Sequence, residues 1–179
     1  LLDQTFARIN ALNASAAQAA IESLRDRLAV PQQSVRQGLI QAVLPGRFQI
    51  IPGQPTVVLD VAHNPQAAAV LAHNLDSMAY FPYTHAVVGM VNDKDCDEVI
   101  KKFGRKVDHW YCASLDGERG RSGQDIAERV REQLPADAEG FPTVTVFDSR
   151  AAAYDSARSK AADNDRIVVF GSFLTVAAV

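Results

Sequence analysis

Several familiar chemical signatures are missing from this sequence. No G-x-x-x-x-G-K-[ST] occurs in its 179 residues, so the chain carries no phosphate-cradling P-loop. The dinucleotide fingerprint G-x-G-x-x-G is absent, which argues against a self-contained NAD site. H-E-x-x-H, G-x-S-x-G and paired-cysteine motifs are absent too, removing zincin, nucleophile-elbow and zinc-ribbon chemistry. The only two cysteines, Cys96 and Cys112, make a poor disulfide framework and read as reduced thiols of a cytoplasmic protein. No apolar run reaches the ~18 residues a membrane span needs. There is no long basic block, and a net charge of −3 argues against a general nucleic-acid or anionic-membrane surface. The opening LLDQTFARINAL lacks the charged-then-apolar order of a signal peptide. It also lacks Met, and the expectation is a chain that begins inside a longer protein.

What is present is ordinary in bulk and organised in detail. Hydrophobic residues are 47% and charged residues 22%, the balance of a globular domain with a sizeable core. Apolar side chains at Ala16, Ala17, Ala20, Ile21, Leu24 and Leu28 form the i, i+3, i+4 stripe of a helix over 13–28. Asn13 or Ser15 is available to cap it. Pro31 breaks the pattern. A second helical pattern runs through Val35, Leu39, Ile40 and Val43 before Leu44-Pro45-Gly46-Arg47 punctuates the chain. A domain boundary is expected here, dividing residues 1–43 from 44–179.

Beyond it a βα rhythm sets in. Strands are expected at Phe48–Ile51, Thr56–Val61, His85–Met90, Val107–Ala113, Thr143–Phe147 and Arg166–Phe170. Helices are expected at Pro65–Met78, Asp95–Phe103, Gly123–Gln133 and Arg150–Ala161. Most of the strands are β-branched and apolar on both faces, the mark of a buried, mainly parallel sheet. The fold class is therefore α/β, an open Rossmann-like sheet with flanking helices.

Such sheets bind ligands beyond the carboxyl ends of their strands. Four exits are equipped with polar residues or glycine: Asp60-Val-Ala-His-Asn-Pro65, Val91-Asn-Asp-Lys-Asp95, Ser114-Leu-Asp-Gly-Glu-Arg-Gly120 and Gly171-Ser172. Pro65 suits the first turn of a helix, which makes Asn64 its N-cap. Asp60 has two open readings, a bond to backbone amides of the next loop or a contact to ligand. His63 is either a structural imidazole or part of a site. An acid, an imidazole and a helix N-terminus together suit a ribose, phosphate or carboxylate. The segment Gly117 to Gly123 reads as a loop, with Arg119 or Arg121 a candidate anion contact. Asp93-Lys94-Asp95 reads as a solvated helix start.

Leu44-Pro-Gly-Arg-Phe48 followed by Asp60-Val-Ala-His-Asn-Pro65 resembles the bacterial dihydrofolate synthase/folylpolyglutamate synthase family of the Mur ligase superfamily. The likeness continues through Val88-Gly-Met-Val-Asn-Asp-Lys-Asp95, Trp110-Tyr-Cys-Ala113, Glu118-Arg-Gly120 and Gly171-Ser-Phe173. The resemblance implies a Mur ligase C-terminal Rossmann-like domain over 44–179. Residues 1–43 are then the terminal helices of a central ATPase domain, whose P-loop lies upstream. Asn13-Ala-Ser-Ala-Ala resembles a family helix whose Asn meets adenine.

The implied reaction is ATP-dependent addition of L-glutamate to dihydropteroate or folates through an acyl phosphate. Its cofactors are ATP and Mg2+, with metal ligands mainly in the upstream portion. Arg47 is implied to reach the ATP phosphates. Asp60 is implied to meet the nucleotide ribose or help position substrates, and His63 to lie close to the reaction centre or the incoming glutamate. Ser172 and, less specifically, Arg119 fall on the glutamate side. The chain departs from the family at Leu174, where GSFHTV is common, and at Arg121 and Ser122, where small residues are common; no role is carried to Leu174 or Arg121. Two alternatives stay open: a Mur-type peptidoglycan precursor ligase and a non-catalytic Rossmann-like binding module.

Overall fold

The computed structural model describes residues 15–41, 44–137, 140 and 142–179. The chain forms two compact units, Leu1–Pro45 and Gly46–Val179.

In the first unit, helix α1 covers residues 15–23 among those described, and α2 covers Gln32–Gln41. The expected stripe of α1 ends early. Leu24, Arg25 and Arg27 donate to carbonyls three residues back, which tightens the last turn into 3-10 geometry. Leu24 and Leu28 are exposed, so the apolar stripe is not buried there. Asn13 and Val43 lie outside the described residues.

The second unit is built on a six-stranded sheet of order β1-β2-β6-β3-β4-β5. Its strands are β1 (Gln49–Ile51), β2 (Thr56–Asp60), β3 (Thr84–Val88), β4 (His109–Ala113), β5 (Thr143–Phe147) and β6 (Arg166–Phe170). Only β1 runs antiparallel, pairing Gln49 with Leu59 at the sheet edge. The α/β class and mainly parallel sheet expected from the apolar, β-branched runs are what the chain adopts. The helices are α3 (Pro65–Asp76), α4 (Cys96–Phe103), α5 (Gly123–Gln133), α6 (Arg150–Lys160) and the short α7 (Phe173–Val176). The boundaries move by a residue or two from the pattern-based ranges. Asp95 becomes the N-cap of α4, accepting from Glu98 N at 3.1 Å, and a 3-10 turn at Gly104–Lys106 delays β4.

The path β2→β3→β4→β5 advances in one direction, and β5→β6 returns to insert β6 between β2 and β3. Right-handed crossovers then place the outgoing helices on one face and the returning helix on the other. Accordingly α6 lays Ala153 and Ala157 on Val57, Leu59, Val87, Tyr111, Ile167 and Val169. On the opposite face α3, α4 and α5 pack in a row. There Phe103 meets Phe170 and Trp110 with ring centroids 4.6 and 6.1 Å apart. Cys96 and Cys112 are free and buried; burial pushes their thiols up to about 11 and about 12, where they are inert at neutral pH.

The amino ends of the strands are closed by polar side chains. His85 bonds Tyr111 Oη through Nδ1 (3.1 Å) and Asp165 through Nε2 (3.3 Å), and stacks on His109. Arg166 donates to Thr84 Oγ1 and the Leu75 carbonyl. All chemistry-bearing strand exits therefore lie at the other edge.

Candidate functional site

The site is assembled where β2 and β6 leave the sheet side by side, Asp60 pairing with Phe170 in the parallel ladder. After β2 the chain enters α3. After β6 it turns into α7, whose Val176 packs on the α6 face of the sheet. Adjacent parallel strands that lead to opposite faces open a crevice at their carboxyl ends.

The turn entering β1 holds one wall. Gly46 adopts φ 68°, and a Cβ there would come within 3.1 Å of Val61 Cγ1 and 3.3 Å of Val176 Cγ1. Phe48, although not glycine, adopts φ 47° with its ring fully buried. Left-handed backbone at such a residue costs on the order of 1–3 kcal/mol. Its N–H donates to Asp60 Oδ2 at 2.9 Å. A hydrogen bond to a charged group is worth about 1.5–3 kcal/mol and offsets that cost. The second oxygen, Asp60 Oδ1, accepts from Ala62 N at 2.7 Å. Gly46 is fixed at both ends, its carbonyl accepting from Val61 N (2.8 Å) and its N–H donating to Gln49 Oε1 (3.0 Å). Arg47 stands at the apex of this turn, half-buried, its guanidinium 5.8 Å above the exposed Phe173 ring. Burial raises the Asp60 carboxyl above its ordinary value, while the amides of Ala62 and Phe48 and the nearby Arg47 and His63 pull it back.

His63 lies three residues after Asp60. Its Nδ1 lies 2.8 Å from the Val61 carbonyl, which can only accept, so Nδ1 carries the proton. In the neutral ring Nε2 is left with its lone pair and makes no hydrogen bond among the described residues. Asn64 caps α3 by accepting from Ala67 N at 2.9 Å, with Pro65 in the first turn. That matches the simpler reading of Asn64.

Ser172 supplies the β6 wall. Gly171 before it has φ 110°, and a Cβ there would stand 2.5 Å from Gly89 O. Ser172 Oγ caps α7 by accepting from Thr175 N at 3.0 Å. Thr175 Oγ1 donates its one proton to Gly89 O at 2.7 Å, so Ser172 must donate across the 2.8 Å contact between the two hydroxyls. One acceptor lone pair of Ser172 remains.

The expected residues are not all gathered. Arg47, Asp60 and His63 stand together at the β2 exit and Ser172 at the neighbouring one. Arg119 stands apart on the β4–α5 loop, exposed and paired with Asp93 at 2.9 Å. Arg121 is buried and structural: it pairs with Asp125 and donates to the carbonyls of Asn92 and Lys94. Sequence reasoning missed Phe173, Thr175 and Arg150. Arg150 ties Asp116 (3.0 Å) to the Leu174 carbonyl (3.3 Å), joining the β4 exit to α7. The Ser-x-x-Thr spacing of a short cap was the available signal for Thr175.

For a divalent ion the fit is poor. Among the described residues no three His, Cys, Asp or Glu side chains cluster to hold a metal. The buried carboxylate of Asp60 already spends an oxygen on each of two amides. Nor, among the described residues, is any helix long and apolar enough to cross a membrane.

The dihydrofolate synthase/folylpolyglutamate synthase of Escherichia coli (strain K12) is 38% identical over 167 residues, 93% of this chain and 36% of that protein. The chain thus spans little more than a third of that curated relative. Escherichia coli FolC in complex with DHPP and ADP superposes with a TM-score of 0.79 at 38% identity, over 92% of this chain and 37% of that one. A bifunctional folylpolyglutamate synthase/dihydrofolate synthase with Mn, AMPPNP and L-glutamate bound gives 0.71 at 38% identity, over 84% and 34%. The family described as "Mur ligase, glutamate ligase domain" matches residues 46–173, the span from the Gly46 turn to the start of α7, and to that family the chain belongs.

Proposed function

We propose that this chain is the ATP- and glutamate-contacting C-terminal part of a cytoplasmic ligase that adds L-glutamate to dihydropteroate or folates. The observation that carries the reading is the Arg47–Asp60–His63 group at the β2 exit of a glutamate ligase domain. Further support comes from the ligand-bound relatives, which hold nucleotide, folate-type compound or glutamate. In this reading the substrate carboxylate attacks the γ-phosphorus of ATP and ADP leaves. The amine of glutamate then attacks the acyl phosphate, releasing inorganic phosphate and leaving an amide.

Each side chain has a task suited to its geometry. Arg47 faces the phosphates, where negative charge spreads during transfer. The free Nε2 of His63 accepts from the ammonium of incoming glutamate and can take its proton. The unused lone pair of Ser172 accepts from the same group, and Arg119 pairs with a glutamate carboxylate once drawn from Asp93. Asp60 sets the geometry of this wall and, in this reading, meets the nucleotide ribose or helps position the substrates. A divalent ion neutralises phosphate charge in such reactions, and its ligands are assigned to an upstream ATPase portion together with the P-loop. Residues 1–43, Asn13 included, are read as the last helices of that portion.

The test is reconstitution. The isolated chain should form no dihydrofolate from ATP, glutamate and dihydropteroate, and should bind ATP weakly. Joined to its ATPase portion it should form that product and ignore UDP-muramoyl precursors. Product from the isolated chain, or preference for the muramoyl substrate, overturns the reading.

A further inference from the structure

We propose that Arg121 is a positioning residue for glutamate, acting through the turn at 91–94 that its buried guanidinium holds in place. The inference rests on the reading above in one respect, that Arg119 faces the incoming glutamate beside Ser172.

Strand order puts the β3 exit between those two groups, since β3 pairs with β6 on one side and with β4 on the other. Gly89, the first residue beyond β3, accepts from Thr175 Oγ1, which in turn meets the Ser172 hydroxyl. Asn92 lies against the β4–α5 loop. Its N–H donates to the Arg119 carbonyl at 2.9 Å, and its side-chain amide to the Gly120 carbonyl at 3.1 Å. Asp93 pairs with the Arg119 guanidinium. The turn thus touches Arg119 at both backbone and side chain. Its own backbone closes it weakly, through a bond of 3.3 Å from Lys94 N to the Val91 carbonyl.

Arg121 supplies a stronger hold. One nitrogen, Nη2, donates to the carbonyls of Asn92 (2.9 Å) and Lys94 (3.2 Å). The other, Nη1, pairs with Asp125 in the first turn of α5. Only 7% of the residue is exposed, and its Nε is buried with no hydrogen-bond partner. A buried charge with an idle donor costs stability that a small apolar residue would not. The turn that it fixes accounts for its presence. Small residues are common at this position in the family, so the brace is a feature of this chain.

The experiment is steady-state kinetics of the full-length ligase, with glutamate and ATP varied in turn, beside a thermal melt. Arg121→Met keeps the buried stem and removes every donor, while Asp125 retains Arg129 as a partner. It should raise KM for glutamate about tenfold, the scale of a modest misplacement of a binding group. Arg47 stands at the β2 exit with β6 in between, so KM for ATP should change less than about twofold. Asp125→Asn weakens the anchor in α5 and should give a smaller rise for glutamate alone. It carries the test if Arg121→Met fails to fold. Arg119→Ala is measured alongside.

If the folded variants at 121 and 125 keep the wild-type KM for glutamate, or raise KM for both substrates alike, the positioning role is overturned. A raised KM for glutamate in Arg119→Ala then leaves the reading of Arg119 standing. If Arg119→Ala leaves KM for glutamate unchanged, that reading falls, and the inference with it.

Discussion

His63 donates its Nδ1 proton to the carbonyl of Val61, two residues back along the same strand exit, at 2.8 Å. That bond fixes both the tautomer and the plane of the ring, and it directs Nε2 away from the backbone. In His63→Asn a side-chain amide can still reach the Val61 carbonyl, but nothing replaces Nε2. The full-length ligase carrying His63→Asn should therefore keep its melting temperature and lose roughly 10²–10⁴-fold in kcat, the range of one general acid–base group. Steady-state kinetics with glutamate as the varied substrate, beside a thermal melt, checks both halves. Unchanged turnover would remove His63 from the reaction.

The Ser172 hydroxyl spends its proton on Thr175 Oγ1 and one lone pair on Thr175 N. Ser172→Ala removes the side-chain cap and leaves Thr175 N only its bond to the Ser172 carbonyl, so stability should fall by about 1 kcal/mol. Urea unfolding followed at Trp110, the only tryptophan and fully buried, measures it. A rise in KM for glutamate without one for ATP in the full-length ligase would place the remaining lone pair on the amino-acid side. Equal effects on both substrates would leave Ser172 a cap alone.

Gly171 combines φ 110° with a backbone carbonyl 2.5 Å from where a Cβ would stand. Gly171→Ala is expected to cost on the order of 2 kcal/mol and to shift α7, since neither the strand ladder nor Gly89 can give way cheaply. A crystal structure or amide exchange across residues 171–176 reports the shift. An alanine variant with wild-type stability would show that the β6 exit can be rebuilt.

Acid should weaken the second unit through its amino edge. Burial lowers the affinity of His85 for a proton below its ordinary 6.5, against the pull of Asp165 and Asp108; Lys160 adds to the lowering. Burial likewise lowers His109, and the neighbouring His85 adds to it. Below about 6.5 the unfolded chain then binds more protons than the folded one, so stability falls as the pH drops. Asp60 works the other way lower on the scale: raised above 3.8, it favours the folded state on protonation. Unfolding midpoints at pH 7.5 and 5.5 should therefore differ, and His85→Gln should flatten the difference. An unchanged slope in that variant would move the effect to other groups.

The sheet was readable because its strands are short, β-branched runs such as Thr56–Asp60 and Arg166–Phe170, buried on both faces. The α3 start was readable as well, because Asn64 and Pro65 carry local conformational preferences that tertiary structure had no reason to override. What stayed hidden was long-range or against propensity. No local rule predicts a left-handed phenylalanine at 48, and its partner Asp60 lies twelve residues further on. Thr175 reaches Gly89 across 86 positions. The Arg121 guanidinium, a candidate anion contact on composition, is consumed by Asp125 and two carbonyls that only the fold brings close.

The position of β6 bears on how the molecule comes into being. The sixth strand fills the gap between the second and the third, so the middle of the sheet is supplied last by a ribosome working from the amino end. Until Arg166–Phe170 emerges, β2 and β3 face each other across an unfilled slot, each with an open hydrogen-bonding edge. Pairings of this sequence separation form slowly and expose sticky edges in the meantime. Nascent chains halted before residue 166 should therefore be protease-sensitive and prone to aggregate, and should need chaperone shelter that the completed domain does not.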